Sequence, residues 1–300
     1  MSRSNPPPPS DKDPTICRAD NIHVAIPASL ARLSVPAAAR RSLNRCNLPT
    51  EAVASFAFQL APCAISLDGV LPLHQPLFDR LDMLDSAPER ASVFRTYMNA
   101  HFMLDDAPAL GLSENVRLDR SRMDYLRLLR GWLFDSESRE GAILKAWVES
   151  RFGLLTRYHR GALGAEDSAA RSGFDQEVAA GLYSTAGLEA QVDLLYGWTQ
   201  YELARRFHGR THLQLYRGYS GPKALREMHT LDDGRRVVEL NNLSSFSASA
   251  ERADEFGDRV FSCATPMPKI LAFSGLMPGL LQGENEYLVI GGVAAITIEY

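Results

Sequence analysis

Near the C-terminus, Leu281–Ile290 reads LQGENEYLVI. It places two carboxylates, Glu284 and Glu286, two residues apart at the mouth of an apolar, β-like run. Side chains at positions i and i+2 of an extended segment lie on the same face, so both carboxylates can address one small volume. Such a pair suits chemistry that develops positive charge. The same spacing also fits two solvated carboxylates on a strand edge, so the interpretation depends on the residues upstream.

The composition is that of an ordinary globular protein. The chain has 300 residues, of which 45% are hydrophobic and 23% are charged, enough for a substantial core in one large domain or two small ones. The formal net charge of −4 lacks the basic footprint of a nucleic-acid-binding protein. No apolar run approaches the roughly 18 residues that span a bilayer. We therefore expect neither a nucleic-acid partner nor a membrane span.

The cysteines and histidines do not indicate a metal site. Cys17, Cys46, Cys63 and Cys263 form no C-x-x-C pair, and the seven histidines are dispersed. Scattered thiols fit a reducing compartment, so we predict a cytoplasmic protein without a disulfide framework. The chain also lacks a P-loop, a G-x-G-x-x-G fingerprint, an H-E-x-x-H helix and a G-x-S-x-G elbow.

The N-terminal part differs from the rest of the chain. Residues 6–9 are four consecutive prolines, which favour an extended, disordered segment. Between Asn21 and Thr50 there are arginines but no acidic residue. We predict a flexible leader over residues 1–46, with a short basic helix in its second part.

From about residue 48 to 208 the apolar spacing predicts helices. Ser86-Ala87-Pro88-Glu89 is a capping box with proline in the first turn. Ser121-x-x-Asp124 is predicted to open another helix, whose apolar stripe consists of Tyr125, Leu128, Leu129, Trp132 and Leu133. The sequence also predicts a C-terminal helix cap at Gly153, a loop over residues 161–173 and a long helix over residues 188–208.

After Gly209 the pattern changes to short β-prone runs separated by Gly, Pro and Asn. These runs are Thr211–Tyr216, Arg236–Leu240, Ser244–Ser247, Arg259–Ala264, Lys269–Phe273, Tyr287–Ile290 and Val293–Tyr300. Helices first and strands later predict the α+β class rather than alternating βαβ units.

Two strand segments carry polar residues that suit ligand binding. In the first, Leu213, Leu215 and Arg217 share one face, so the guanidinium projects from an apolar row and can grip a phosphate in a bidentate manner. A surface ion pair is the alternative for this arginine. Gly218 would let a ligand approach the backbone closely. In the second, the hydroxyls of Ser245 and Ser247 can orient a carboxylate or a ribose.

The ordered set Arg217-Gly218, Ser245-x-Ser247 and Glu284-x-Glu286 resembles the motif triad of arginine-specific mono-ADP-ribosyltransferases. Phe256 stands where that superfamily often places an aromatic side chain against nicotinamide. The alternative for Phe256 is a core residue of a short amphipathic helix.

Three further blocks resemble one bacterial family, the NAD(+)–dinitrogenase reductase ADP-ribosyltransferases. They are Asp124–Asp135 (DYLRLLRGWLFD), Glu140–Gly153 (EGAILKAWVESRFG) and Asn241–Ser247 (NNLSSFS). The likeness implies a single ADP-ribosyltransferase domain over residues 47–300. Its helical half, residues 47–210, would pack on a β-rich NAD-binding core of two small sheets, residues 211–300.

The resemblance also implies a role for each motif residue. Arg217 would hold the NAD phosphates, and the backbone of Gly218 would meet the nicotinamide carboxamide. Ser247 is assigned to the NAD site, with Phe256 against the nicotinamide ring. Ser245 would position Glu286, whose carboxylate would stabilise positive charge as the glycosidic bond breaks. Glu284 would bind and help to deprotonate the acceptor arginine.

The expected partners also follow from the resemblance. The substrate would be dinitrogenase reductase, the nitrogenase iron protein, and PII signal proteins would regulate the enzyme. NAD would be the co-substrate, with no metal. The helical half would recognise the target or support the NAD core. Two rival hypotheses stay open, a glycoside hydrolase that uses Glu284 and Glu286, and a non-catalytic NAD-sensing module for protein interaction.

Overall fold

The structure is a computed structural model that describes residues 30, 32–104, 123–161, 163, 169–182, 187–221, 225–278 and 285–299. Helices occupy the part before residue 207, and strands dominate the part after residue 211. The chain is therefore a mixed protein of helices and antiparallel sheet, as the α+β prediction requires.

In chain order, the described residues form the helices α1 (Thr50–Val53), α2 (Phe56–Leu60), α3 (Val70–Leu73), α4 (Gln75–Asp82), α5 (Ala87–Phe102), α6 (Tyr125–Phe134), α7 (Arg139–Phe152), α8 (Ala169–Leu182), α9 (Leu188–Arg206) and α10 (Ala250–Asp254).

Two predicted helix boundaries are confirmed. Ser86 caps α5, since its side chain accepts the Glu89 N–H at 3.5 Å. Gly153 follows α7 in the left-handed conformation, with φ 72°, which glycine adopts without steric cost.

Two other boundaries differ. The residue that caps α6 is Asp124, whose Oδ1 accepts the Arg127 N–H at 2.7 Å, and Ser121 lies outside the described residues. The helix α8 begins inside the stretch predicted as a loop. Tertiary contacts explain this earlier start of the helix, because Arg171 pairs with Glu149 of α7 and Phe174 is buried against His159.

The second part of the predicted leader packs on the helical half. The Arg41 N–H donates to the Gly153 carbonyl at 2.7 Å, and the Arg45 N–H donates to the Arg151 carbonyl at 3.1 Å. Over residues 32–46 the structure has one 3-10 turn, Ala37–Ala39, in place of the predicted basic helix. Backbone pairing with α7 and its C-terminal cap therefore shapes this segment.

The strands are β1 (His212–Tyr219), β2 (Arg226–Thr230), β3 (Arg236–Ser247), β4 (Arg259–Pro266), β5 (Ile270–Phe273) and β6 (Glu286–Glu299). Their order is β2-β3-β1-β4-β6-β5, all pairs are antiparallel, and β3 also pairs with β6. The ladders thus join these strands in one sheet, where two small sheets were predicted, because β3 and β6 each pair with several neighbours. The strand β2 was not predicted, since its residues are mostly exposed and lack an apolar alternation.

The ladder between β3 and β6 contains a bulge that sets its register. Pairing runs to Leu240 opposite Gly292 and resumes at Leu243 opposite Ile290. At the bulge, a Cβ on Gly291 would lie 1.8 Å from the Asn241 carbonyl oxygen, so only glycine fits there. The Gly291 carbonyl in turn accepts a hydrogen bond from Lys269 Nζ at 2.8 Å. The bulge is therefore a defined feature of the fold.

Helices and sheet share one continuous apolar core. The ring of Phe94 on α5 stacks on Trp198 of α9 with centroids 3.9 Å apart. The Gln59 side chain on α2 donates to the carbonyls of Ala264 and Ala295 in the sheet. Among the helices of the described residues, none combines the length and apolar character that crossing a membrane requires.

Replacing Gly291 with alanine tests the bulge. The new Cβ would meet backbone atoms of β3, so we expect the free energy of unfolding to fall by about 1–3 kcal/mol or more. Urea unfolding measures this change. Gly173→Ala in α8 is the matched control, because a Cβ there meets no atom within 4 Å and alanine favours a helix. Equal stability of the two variants would show that the bulge tolerates a side chain.

Lys269 predicts a pH dependence of stability. Burial lowers the pKa of Lys269 from 10.5 to about 8. Because the folded pKa lies below the unfolded one, the unfolded chain binds more protons between pH 8 and 10.5, and stability rises with pH there. From pH 8 to 9 the free energy of unfolding of the wild type should rise by about 1 kcal/mol relative to Lys269→Met. Parallel curves for the two proteins in pH-dependent unfolding would contradict this.

Candidate active site

A cleft lies between the end of α6 and the strands β1, β3 and β6. It consists of two adjoining cavities of about 350 and 240 Å³. Pockets of about 300–1,000 Å³ are typical of small-molecule sites. Both cavities are lined by Trp132, Ser136, Arg217, Gly218, Ser245 and Phe256. Ser247 and Glu286 line the smaller one. The structure therefore brings together the predicted site residues, except Glu284, which lies outside the described residues.

The register of β3 and β6 places the polar side chains on one face. Ser247 lies opposite Glu286, and Ser245 lies opposite Leu288. Residues two apart on a strand share a face, so Ser245, Ser247 and Glu286 point to the same side of the sheet. The side chain of Glu286 is nearly enclosed, since only 4% of the residue is exposed.

Arg217 reaches the cleft from β1, beyond the buried Leu213 and Leu215. Its Nη1 donates to the Ser245 carbonyl oxygen at 2.5 Å, and its guanidinium lies 5.9 Å from the centre of the Phe246 ring. Burial lowers the pKa of Arg217, while the Glu286 carboxylate raises it. A guanidinium stays protonated even when it is buried, so the cleft holds a fixed cation, Arg217, beside the carboxylate of Glu286.

Trp132, at the end of α6, enters the site from the helical half. Its Nε1 lies 2.8 Å from Ser245 Oγ and 3.2 Å from Glu286 Oε1. Sequence patterning assigned Trp132 to an apolar stripe, and the residue is indeed only 3% exposed. Its polar atom was the missed signal, because a buried indole N–H needs an acceptor.

Lys145 is a second residue that sequence patterning missed. It lies on α7, lines the larger cavity and is only 1% exposed. Its Nζ donates to Glu137 Oε1 at 2.5 Å and to the Tyr158 carbonyl at 3.2 Å. Burial lowers the pKa of Lys145, and the Glu137 carboxylate raises it. A lysine is rarely buried without a partner. Its place on an apolar helix face could therefore have indicated that its ammonium group meets a polar partner.

Gly218 is required by close packing within the protein. A Cβ there would lie 2.1 Å from the Ala253 carbonyl oxygen, so α10 can approach β1 only over a glycine. Ser247 stabilises the turn between β3 and α10, since its Oγ accepts the Ser249 N–H at 3.1 Å. Both residues still line the cleft.

Two aromatic side chains stand at the rim of the cleft. Phe256 follows α10 and is 56% exposed, so the interpretation of Phe256 as a core residue is wrong. Its backbone packs against Gly218, since a Cβ there would lie 3.1 Å from the carbonyl carbon of Phe256. Phe134, at the end of α6, is 92% exposed and also lines the smaller cavity.

Fold and cleft together define an α+β protein whose candidate active site sets an enclosed carboxylate beside an arginine. Among the described residues, no group of three or more His, Cys, Asp or Glu side chains could hold a metal ion.

The family model described as dinitrogenase reductase ADP-ribosyltransferase (DRAT) matches residues 43–298. The NAD(+)--dinitrogen-reductase ADP-D-ribosyltransferase of Rhodospirillum rubrum is 36% identical over 264 residues, which cover 86% of this chain and 95% of the relative. No solved structure matches the chain. The chain belongs to the dinitrogenase reductase ADP-ribosyltransferase family.

Proposed function

We propose that this chain is an enzyme that transfers ADP-ribose from NAD to an arginine of dinitrogenase reductase, and that its fold is ADP-ribosyltransferase-like. The observation that carries the proposal is the position of Glu286, enclosed in one cleft with Arg217 and Ser245. The name of the relative from Rhodospirillum rubrum supports it, since that name describes an ADP-D-ribosyltransferase with NAD(+) and dinitrogen reductase. Regulation by PII proteins and a cytoplasmic location are part of the proposal.

The cleft contains groups that suit the phosphates and the nicotinamide ring of NAD. Arg217 is a rigid donor fork of the kind that binds phosphates, and its hydrogen bond to the Ser245 carbonyl fixes its direction. Phe256 offers an exposed ring face at the rim, where a nicotinamide ring can stack. Gly218 and Ser247 line the same cavity as Arg217 and Phe256. We assign these four residues to the NAD site.

Glu286 is assigned the chemical step. When the bond between C1′ of the ribose and the nicotinamide nitrogen breaks, the electron pair leaves with nicotinamide and positive charge grows on the sugar. A carboxylate held in an enclosed cleft stabilises that charge more strongly than one in water. The acceptor nitrogen then forms the new bond to C1′. Ser245 is assigned the positioning of this carboxylate, and its hydroxyl accepts the same indole N–H as Glu286 Oε1.

Glu284 is assigned the acceptor. An arginine guanidinium stays protonated at ordinary pH and is a poor nucleophile. A carboxylate two residues from Glu286 can bind this group and take up its proton as the new bond forms. This role is what the resemblance to arginine-specific mono-ADP-ribosyltransferases implies for Glu284, which lies outside the described residues.

The non-catalytic alternative is less well supported, because Arg217, Ser245 and Glu286 are all present and share one cleft. The glycoside hydrolase alternative leaves the guanidinium next to Glu286 without a purpose. Release of nicotinamide from NAD separates the transferase from both alternatives.

Glu286→Gln tests the chemical assignment. The amide keeps the shape of the side chain but removes its charge, so transfer should fall by roughly 10²-fold or more. Transfer of labelled ADP-ribose from NAD to purified dinitrogenase reductase measures the change. Glu299→Gln is the matched control, since Glu299 is exposed at the far end of the same strand. A folded Glu286→Gln protein with near-normal transfer would refute the assignment.

Glu284→Gln should separate two activities. If Glu284 serves the acceptor alone, the variant should still hydrolyse NAD, because water needs no guanidinium site, but it should not modify arginine. Nicotinamide release without acceptor and label transfer with acceptor are measured side by side. Loss of both activities together would show that Glu284 takes part in breaking the glycosidic bond.

A further inference from the structure

We infer that Trp132 is a positioning residue for Glu286, through which the helical half of the protein controls the carboxylate on the sheet. This inference rests on the proposed function, and it adds a residue to which the motifs of the sequence assign no role in the site.

The contact geometry is that of one donor shared by two acceptors. The indole Nε1 of Trp132 lies 2.8 Å from Ser245 Oγ and 3.2 Å from Glu286 Oε1. Both distances are within the ordinary range of hydrogen bonds, and the carboxylate acceptor strengthens its bond. One N–H therefore fixes the direction of the hydroxyl and of the carboxylate oxygen at the same time.

The indole is itself held rigidly. The Tyr125 N–H at the start of α6 donates to Gln191 Oε1 of α9 at 3.1 Å, and Leu128 and Leu129 are fully buried. Lys145 Nζ of α7 lies 5.8 Å from the centre of the Trp132 ring. The position of the N–H thus depends on how α6 packs on α7 and α9, and a shift of α6 would change the site directly.

The chemistry of the position requires tryptophan rather than any large apolar residue. Packing of the helix stripe needs only the ring, and phenylalanine would fill much of the same space. The N–H points toward the acceptors in the cleft, where it makes the ionised, correctly oriented form of Glu286 more favourable. Of the described residues that line the same cavity, the other titratable groups are Asp135 after α6 and Tyr216 and Arg217 on β1.

The experiment compares Trp132→Phe with Trp147→Phe. Trp147 is also a buried tryptophan whose Nε1 donates to a carboxylate, Asp193 Oδ1 at 2.7 Å, and it lines neither cavity of the cleft. The two variants lose the same kind of hydrogen bond. We expect Trp132→Phe to lower kcat of transfer about 10- to 100-fold with little change in the KM for NAD, while Trp147→Phe keeps the wild-type kcat.

Two readouts distinguish positioning from a structural role. Without the N–H donor the carboxylate is easier to protonate, so the acidic limb of the pH–rate profile should move to higher pH in Trp132→Phe alone. In a Glu286→Gln background, Trp132→Phe should cause little further loss, because the group through which it acts is already neutral. If Trp132→Phe does not fold, 3-benzothienylalanine at position 132 replaces it, since sulfur takes the place of the N–H at almost the same shape.

The inference is overturned if Trp132→Phe has the wild-type kcat and pH profile. It is also overturned if Trp132→Phe lowers the rate by the same factor with Glu286 and with Gln at position 286. A wild-type protein that neither releases nicotinamide from NAD nor labels dinitrogenase reductase would instead overturn the proposed function, and the inference with it.

Discussion

The antiparallel ladder between β3 and β6 is the constraint on which the site depends. It sets Ser247 opposite Glu286 and Ser245 two residues further along the same face. A slip of one residue would turn one strand's polar side chains to the other face of the sheet. The bulge opposite Gly291 prevents such a slip, because its geometry excludes a Cβ and its carbonyl is held by Lys269. Gly291 and Lys269, neither of which lines the cleft, thus help to determine the position of Glu286.

The helical half contributes to the site as well as to the core. Trp132 from α6 reaches the carboxylate, and Lys145 from α7 lies in the wall of the larger cavity. The two helices are joined to the sheet by polar contacts, such as those of the Asn242 amide with the Lys145 and Leu154 carbonyls. The sequence predicted that this half either recognises a target protein or supports the NAD core. Direct participation in the cleft is a third role.

The charges of the cleft fit the proposed reaction. Arg217 and Lys145 are cations that burial makes costly, and each is offset by a nearby carboxylate, Glu286 and Glu137 respectively. A dinucleotide carries its negative charge on the phosphates and develops positive charge at the ribose. The cleft offers a cation for the phosphates and a carboxylate for the ribose, and its partial enclosure strengthens both interactions.

The sequence by itself determined the α+β class, the family and most strand positions, and it predicted Arg217, Ser245 and Glu286 as site residues. These depend on local patterns of apolar spacing, capping and motif residues, which a single chain displays directly. Tertiary structure decided which of these residues meet, because the pairing of β3 with β6 is a long-range register. It also decided that Trp132 and Lys145 line the cleft and that Phe256 lies at its rim. Local spacing shows that a side chain is buried, but the groups that its polar atom meets lie on other elements of the fold.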